Sequence, residues 1–252
     1  MYPLTLHSIR LGIRYMIFLI LLTITIIIIS SPLELYASQS VTGFYSPNSP
    51  PAGVKSLEPL IGEWWNFWVN HPPSYHENWP ECFKGDGGMI GNNQSVVFLG
   101  DPASAVENNV NARNQKCEIS ANQLLYLTVY SGECSEAEYP GMSSTDLLKC
   151  AQDSNKVMKL MQVKVDGKDV SSNIIRQSTS QPFIWNVPPE NVYEFKEPVV
   201  GKHQSMAESY YLFFKPLPVG DHTIELEVIR QPLEANQPVE HDVAKWNIKV
   251  VP

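Results

Sequence analysis

The chain has 252 residues, 43% of them apolar and 10% aromatic, and its 26 acidic against 18 basic side chains give a net charge of −8. That composition excludes a disordered chain, a collagen and a coiled coil, and the length suffices for a sizeable core. An acidic balance without any basic cluster excludes a nucleic-acid partner.

Arg10 and Arg14 precede an uncharged run of fifteen residues, Tyr15 to Ile29, which is followed by Ser30-Ser31-Pro32 and Leu35-Tyr36-Ala37. A basic stretch, an apolar run and a small residue before a cut read as a secretory signal over residues 1–37, cleaved after Ala37. As a helix the run rises only about 22 Å against roughly 30 Å of hydrocarbon. The alternative is an uncleaved signal-anchor, since the A-x-A pattern is half met, and that segment would then be the chain's only membrane contact. Cleavage removes Arg10, Arg14 and Glu34 and leaves a net charge of −9.

Residues 38–55 are rich in Pro and Ser and read as an extended tether, ahead of a single extracellular domain over 56–252. A first helix is predicted at about 56–70, with Ser56 as N-cap and Leu57, Leu60, Ile61, Trp64 and Trp68 on one face. Trp64, Trp65 and Trp68 could form a sugar-stacking platform, but aromatics at helical spacing read first as core. After His71-Pro72-Pro73 a loop runs to Asn93. Strands are predicted at Val96 to Leu99 and Leu124 to Tyr130. A second helix fits about 145–161, where Ser143 and Asp146 form a capping pair and Leu147, Leu148, Ala151, Val157, Met158 and Met161 share a face.

The C-terminal half alternates. Met161 to Val165 is apolar at odd positions and Asp166-Gly167 is a turn signal; Phe183 to Trp185 is a short apolar run. Tyr210 to Phe214 is apolar without a break, as in a strand covered on both faces. Ile224, Leu226 and Val228 point one way and Thr223, Glu225 and Glu227 the other; Ala244, Trp246, Ile248 and Val250 oppose Lys245, Asn247 and Lys249. Short strands without a βαβ rhythm predict a mainly β fold: an antiparallel β-sandwich, Ig-like or jelly-roll-like, with two accessory helices at its edge or end.

Four cysteines, Cys82, Cys117, Cys134 and Cys150, favour two disulfides in an oxidising compartment. Sequential pairs, Cys82 with Cys117 and Cys134 with Cys150, close loops that each stabilise by roughly 3 to 4 kcal/mol in the chain-entropy model. The cysteines lack the paired spacing of a structural zinc site. His71, His76 and Glu77 offer imidazole and carboxylate in one loop, at a spacing that fits no standard ligand pair, and His71 reads rather as a helix stop. His222, opening a strand, is expected to bond the hairpin backbone.

No nucleophile motif is present. Gly85-Asp86-Gly87-Gly88 lacks the G-K-[ST] of a phosphate loop and reads as a tight turn. Glu225 and Glu227 read as a solvated face. Asn93-Gln94-Ser95 is a glycosylation sequon, with Asn93 the acceptor. Tyr75, His76, Glu77 and Trp79 form the loop predicted to bind, since loops at one end of such scaffolds carry function. No cofactor is implied.

Several phrases together resemble a family of secreted bacterial and archaeal proteins with no assigned activity. They are EWWNFW (Glu63 to Trp68), the first Cys followed by NQSVVFL, the second Cys before LLYLTVY, the Cys134 to Cys150 interval, the VDG turn at Val165, and S-x-A-x-x-Y-Y-L-F-F-K-P-L-x-x-G-x-H-T-I from Ser205 to Ile224. The resemblance covers about Trp64 to Val250 and implies one extracytoplasmic domain with the same Cys order, and no reaction. Longer polar loops around Tyr75 to Trp79 and Asn108 to Gln115 set this chain apart. PLPVGDHTIELEV, from Pro216 to Val228, also resembles the closing hairpin of immunoglobulin-like extracellular modules. The expected function is a secreted or surface-tethered non-catalytic binding or structural module with an extracellular protein or glycan as partner. The alternatives are a secreted hydrolase of glycans or peptides and an extracytoplasmic metal-binding protein.

Overall fold

The computed structural model describes residues 43–70, 84–90, 94–99, 110–191, 193–231 and 239–252. In chain order its elements are β1 (Phe44–Tyr45), α1 (Pro59–Val69), β2 (Lys84–Ile90), β3 (Gln94–Leu99), β4 (Val110–Ser120), β5 (Leu124–Ser135) and α2 (Ser144–Ser154). They continue as β6 (Met158–Val165), β7 (Lys168–Asp169), β8 (Ile175–Ser178), β9 (Phe183–Val187), β10 (Gly201–Phe214), β11 (Gly220–Arg230) and β12 (Glu240–Val251). Among the described residues no helix is long and apolar enough to cross a membrane.

The fold is a mainly β sandwich of two sheets with two helices, as the alternation predicts. The larger sheet runs β1-β10-β5-β3-β2, with β8 and β9 also on β10, and the smaller runs β4-β12-β11-β6-β7. Strand β5 lies along one side of β10, from Ser135 opposite Ser205 to Leu125 opposite Phe214. Strands β9, β8 and β1 take the other side in succession. Most pairings are antiparallel; β3 with β5 and β4 with β12 are parallel.

Period-2 alternation makes both cores. Val97, Leu99, Leu125, Leu127, Leu212 and Phe214 point between the sheets, where they meet Val163, Val165, Ile224, Leu226, Trp246 and Ile248. The intervening residues Val96, Phe98, Leu124, Tyr126, Tyr211 and Phe213 point to the opposite side and pack under α1, against Leu60, Ile61, Trp64, Trp65 and Trp68. The larger sheet is thus covered on both faces, which accounts for the unbroken YYLFF run. Each large apolar side chain so enclosed stabilises by roughly 1.5 to 3 kcal/mol. Helix α1 therefore covers a sheet face, and the expected placement at the edge or end is corrected. The helix comes so close to β9 that a Cβ on Gly62 would lie 2.8 Å from Phe183 Cγ.

Helix α2 is held at the far ends of β5 and β10, where Leu147 and Ala151 pack on Cys134 and Met206. The Cys134–Cys150 disulfide ties it to β5. Ser143 caps it, its Oγ accepting from Asp146 N at 3.2 Å, and Asp146 suits the positive end of the helix.

Several boundaries differ from the sequence reading. Phe44 and Tyr45, placed in the tether, pair with Phe214 and Phe213 and meet their rings in tilted contacts at 5.0 and 5.5 Å, so the domain begins before Ser56. Helix α1 starts at Pro59, and the Ser56 hydroxyl accepts from Glu58 N in the preceding turn at 3.1 Å. Helix α2 ends at Ser154; a 3-10 turn, Asn155–Val157, follows, and Met158 already pairs with Arg230. Met158 and Met161 satisfy helical and strand periods alike, and pairing with β11 decides the matter. Gly85 to Gly88 lie in β2, not in a turn, and the register shifts between Asp86 and Met89, a bulge of the kind glycines permit. The polar stretch up to Gln115, read as loop, is strand from Val110, held in register by β12.

Candidate binding face

The alternation that buries one side of β11 and β12 sends their polar residues to the outer face of the smaller sheet. Strand register arranges these residues in rows. Lys164, Glu225 and Lys245 stand side by side across β6, β11 and β12. Thr223, Asn247 and Lys116 form the next row toward the other end, and Asp221, Lys249 and Glu118 the one beyond, across β11, β12 and β4.

Lys245 Nζ meets Glu225 Oε1 at 2.8 Å, and Lys249 Nζ lies 3.6 Å from Glu118 Oε2. His241 Nε2 and Glu227 Oε1 are 2.9 Å apart. The face is concave in two places. One cleft, of about 500 Å³, is lined by Lys116, Glu118, Asp221, Thr223, Asn247 and Lys249 among others. The second, of about 300 Å³, is lined by Gln162, Lys164, Glu225, Glu227, Val243 and Lys245 among others. Among the described residues neither is lined by Trp, Tyr or Phe, and the first also reaches the edge of His222. This face can offer alternating charge and amide or hydroxyl hydrogen bonds.

The tryptophans of α1 are core: Trp64, Trp65 and Trp68 are buried, packed on one another and on Trp185. Trp65 Nε1 donates to Ser131 Oγ and Trp68 Nε1 to Tyr193 Oη, both at 2.9 Å. They form no surface platform.

Three further polar clusters are buried or half-buried, and the first of them adjoins the larger cleft. His222 is buried with Nδ1 2.8 Å from Asp166 Oδ2 and Nε2 2.9 Å from the Pro218 carbonyl, while Asp166 Oδ1 accepts from Thr223 N at 2.8 Å. Both ring nitrogens face protein oxygens, so His222 bridges the Asp166 turn and the Pro218 backbone and locks the hairpin. Glu208, on β10, accepts from Arg176, Asn155 and Ser178 at 2.9, 3.2 and 2.9 Å. Burial pushes its carboxyl up, but these hydrogen bonds outweigh that and hold it below the ordinary value.

The third cluster centres on Ser135 and Ser205, which face each other across β5 and β10 and are both fully buried. Ser205 Oγ donates to Glu133 Oε1, and Ser135 Oγ donates to Glu138 Oε2 at 2.8 Å. Burial, and then the neighbouring Glu138 carboxyl, push Glu133 well above the usual carboxylate range. Sequence gives no sign of this pairing, because Glu133 and Glu138 meet around the end of a strand, through serines 70 positions apart.

Of the residues singled out from sequence, Tyr75, His76, Glu77 and Trp79, the weak metal candidate His71, the sequon Asn93 and Cys82 all lie outside the described residues. Cys134 and Cys150 are bonded to each other, as the sequential pairing expects, and Cys117 is disulfide-bonded.

No family model matches the chain, and no curated protein matches it. Among solved structures it is similar to the cysteine protease inhibitor EhICP2 from Entamoeba histolytica, at 13% identity and a TM-score of 0.19, covering 56% of this chain and 95% of that one. Amebosin, known in solution, is similar at 8% identity and a TM-score of 0.15, covering 55% of this chain and 96% of that one. Likenesses this slight bear on neither fold nor function.

Proposed function

We propose that the chain is an exported, non-catalytic binding module, and that the outer face of the smaller sheet is its contact surface for a protein partner. The observation that carries this reading is the set of charged rows fixed by strand register, Lys164-Glu225-Lys245 and Asp221-Lys249-Glu118, each of which borders one of the two clefts. Opposite charges alternate along each row, so a polypeptide surface with the reverse alternation is the complementary partner. A glycan has less support, since no Trp, Tyr or Phe is among the described residues that line the clefts.

Export is supported by the basic and apolar N-terminal stretch and by the Cys134–Cys150 disulfide, which suits an oxidising compartment. A hydrolase reading has less support: Ser205 has a carboxylate partner but is sealed from substrate, and both nitrogens of His222 are engaged.

The test is chemical cross-linking of the chain in its own host, beside a variant with Lys116→Gln, Lys164→Gln and Lys249→Gln. The expected result is a cross-linked protein outside the cytoplasm that the variant loses while remaining folded. An unchanged set of cross-linked proteins, or a chain recovered from the cytoplasm with reduced cysteines, would overturn the proposal.

A further inference from the structure

The turn after β5 folds back on its own strand. Tyr139 N donates to Ser135 O and Glu136 N donates to Gln204 O, both at 3.0 Å. Glu138 returns to the strand end, where its Oε2 accepts from Ser135 Oγ at 2.8 Å and from Ser135 N at 3.2 Å. There its carboxyl lies within hydrogen-bond reach of Glu133. The Cys134–Cys150 disulfide closes the chain segment that follows, so this turn and α2 form one tied-off loop.

The charges around the pair are one-sided. Strand β10 presents Ser205 and, opposite Glu133 in register, Ala207, both neutral. Helix α1 reaches this end of β5 through Trp65, which donates to Ser131. Helix α2 packs on the other side of the strand through Leu147 and Ala151. Among the described residues no Lys, Arg or His pairs with Glu133 or Glu138. Two carboxyl groups bonded to neutral donors and facing each other without a cation stay together by holding a proton between them.

We propose that Glu133 and Glu138 are a proton-operated latch on the disulfide-closed loop. With the shared proton in place the turn is docked on β5; with it lost the two carboxylates repel, and Glu138, on the turn, swings out while Glu133 stays on its strand. The undocked turn carries Tyr139 and Met142, which are already 41% and 40% exposed. Release therefore changes the setting of two large apolar side chains without unfolding the sandwich. This inference is independent of the binding face.

The sign follows from Glu133. Its folded value lies above the 4.5 of an unperturbed carboxyl, so the docked turn binds the extra proton. The resulting stabilisation is full below that value and is lost as pH rises toward the folded value. The experiment is amide hydrogen exchange on the full chain across this pH range, corrected for intrinsic rates. Protection of the Ser135, Glu136 and Tyr139 amides should fall by up to about tenfold per pH unit within the window, while β5 amides near Leu127 hold steady. In Glu138→Gln the uncharged side-chain amide can hydrogen-bond the Glu133 carboxyl in either of its forms, without charge repulsion, so protection of the turn should not vary. Protection that is flat in the unmodified chain, or that falls equally in Glu138→Gln, overturns the latch. As a check that needs no variant, carboxyl carbon NMR must show Glu133 titrating above the ordinary glutamate range; an ordinary titration overturns it as well.

Discussion

The side chain of Asn66 stands in for a strand partner of Ile184. Its Nδ2 donates to the Ile184 carbonyl and its Oδ1 accepts from the amide two residues on, that of Asn186, both at 2.8 Å. A helix residue thus satisfies the backbone groups that a further strand beside β9 would have taken, and this fixes α1 along the sheet as well as above it. Asn66→Ala should lower stability by about 1 kcal/mol, because water can reach part of the exposed pair it abandons. Urea denaturation measures this as a lower midpoint with unchanged slope; an unmoved midpoint would mean that the tryptophan packing alone holds the helix.

Gly132 sets how closely α2 approaches β5. A Cβ there would collide with the Ala151 carbonyl and with Ser154 Oγ, and would lie 2.9 Å from Asn155 Oδ1. The obstacles include helix backbone, which cannot rotate away as a flexible side chain could. Gly132→Ala should therefore cost about 1 to 3 kcal/mol. The loss should appear as raised hydrogen exchange in α2 while the disulfide keeps the helix attached. Equal thermal midpoints for the variant and the unmodified chain would count against this packing.

Glu208 predicts an acid limb of stability opposite in sign to that of Glu133. Its side chain is only 4% exposed and its partner Arg176 is 56% exposed. Because the folded value is depressed, the contribution is present above the unfolded value near 4.5 and disappears as pH falls through the folded value. Glu208→Gln should flatten the profile below pH 4.5, and at neutral pH it should lose about 1.5 to 3 kcal/mol, as expected for hydrogen bonds to a charged group. Denaturant midpoints across that range decide it, and a variant with the same acid limb as the unmodified chain would assign the limb to other carboxyls.

What was legible in the sequence is what period and turn chemistry control. β11 and β12 show their inner and outer faces in plain alternation, YYLFF announces burial on both sides, and the Ser143 and Asp146 cap is local. The 158–161 stretch was not legible, because Met158 and Met161 suit a helix or a strand equally until β11 pairs with them. Nor was β4, whose polar residues from Val110 show no alternation and whose course follows β12, more than a hundred positions away. The outer face could be read as polar, but its rows could not, since a row exists only once the registers of β6, β11, β12 and β4 are set. The Glu133 and Glu138 pair is hidden for the same reason: β10 must bring Ser205 beside Ser135 before the carboxyls have a common setting.

The outer face should accept changes of charge with little effect on folding, which makes it open to experiment. Glu225 and Lys245 are 2.8 Å apart, but each side chain is 41% exposed, so water screens the pair and competes for both ends. Exposed pairs of this kind contribute about 0.2 to 1 kcal/mol. A double-mutant cycle with Glu225→Gln and Lys245→Gln should give a coupling within that range, and it should shrink further in high salt. The inward neighbours behave otherwise: Leu226 and Trp246, next to these residues in sequence, are fully buried between the sheets. Leu226→Ala should cost about 2 to 5 kcal/mol. A coupling of several kcal/mol between Glu225 and Lys245 would show that the pair holds the sheet together, and the face would then be structural instead of free to bind.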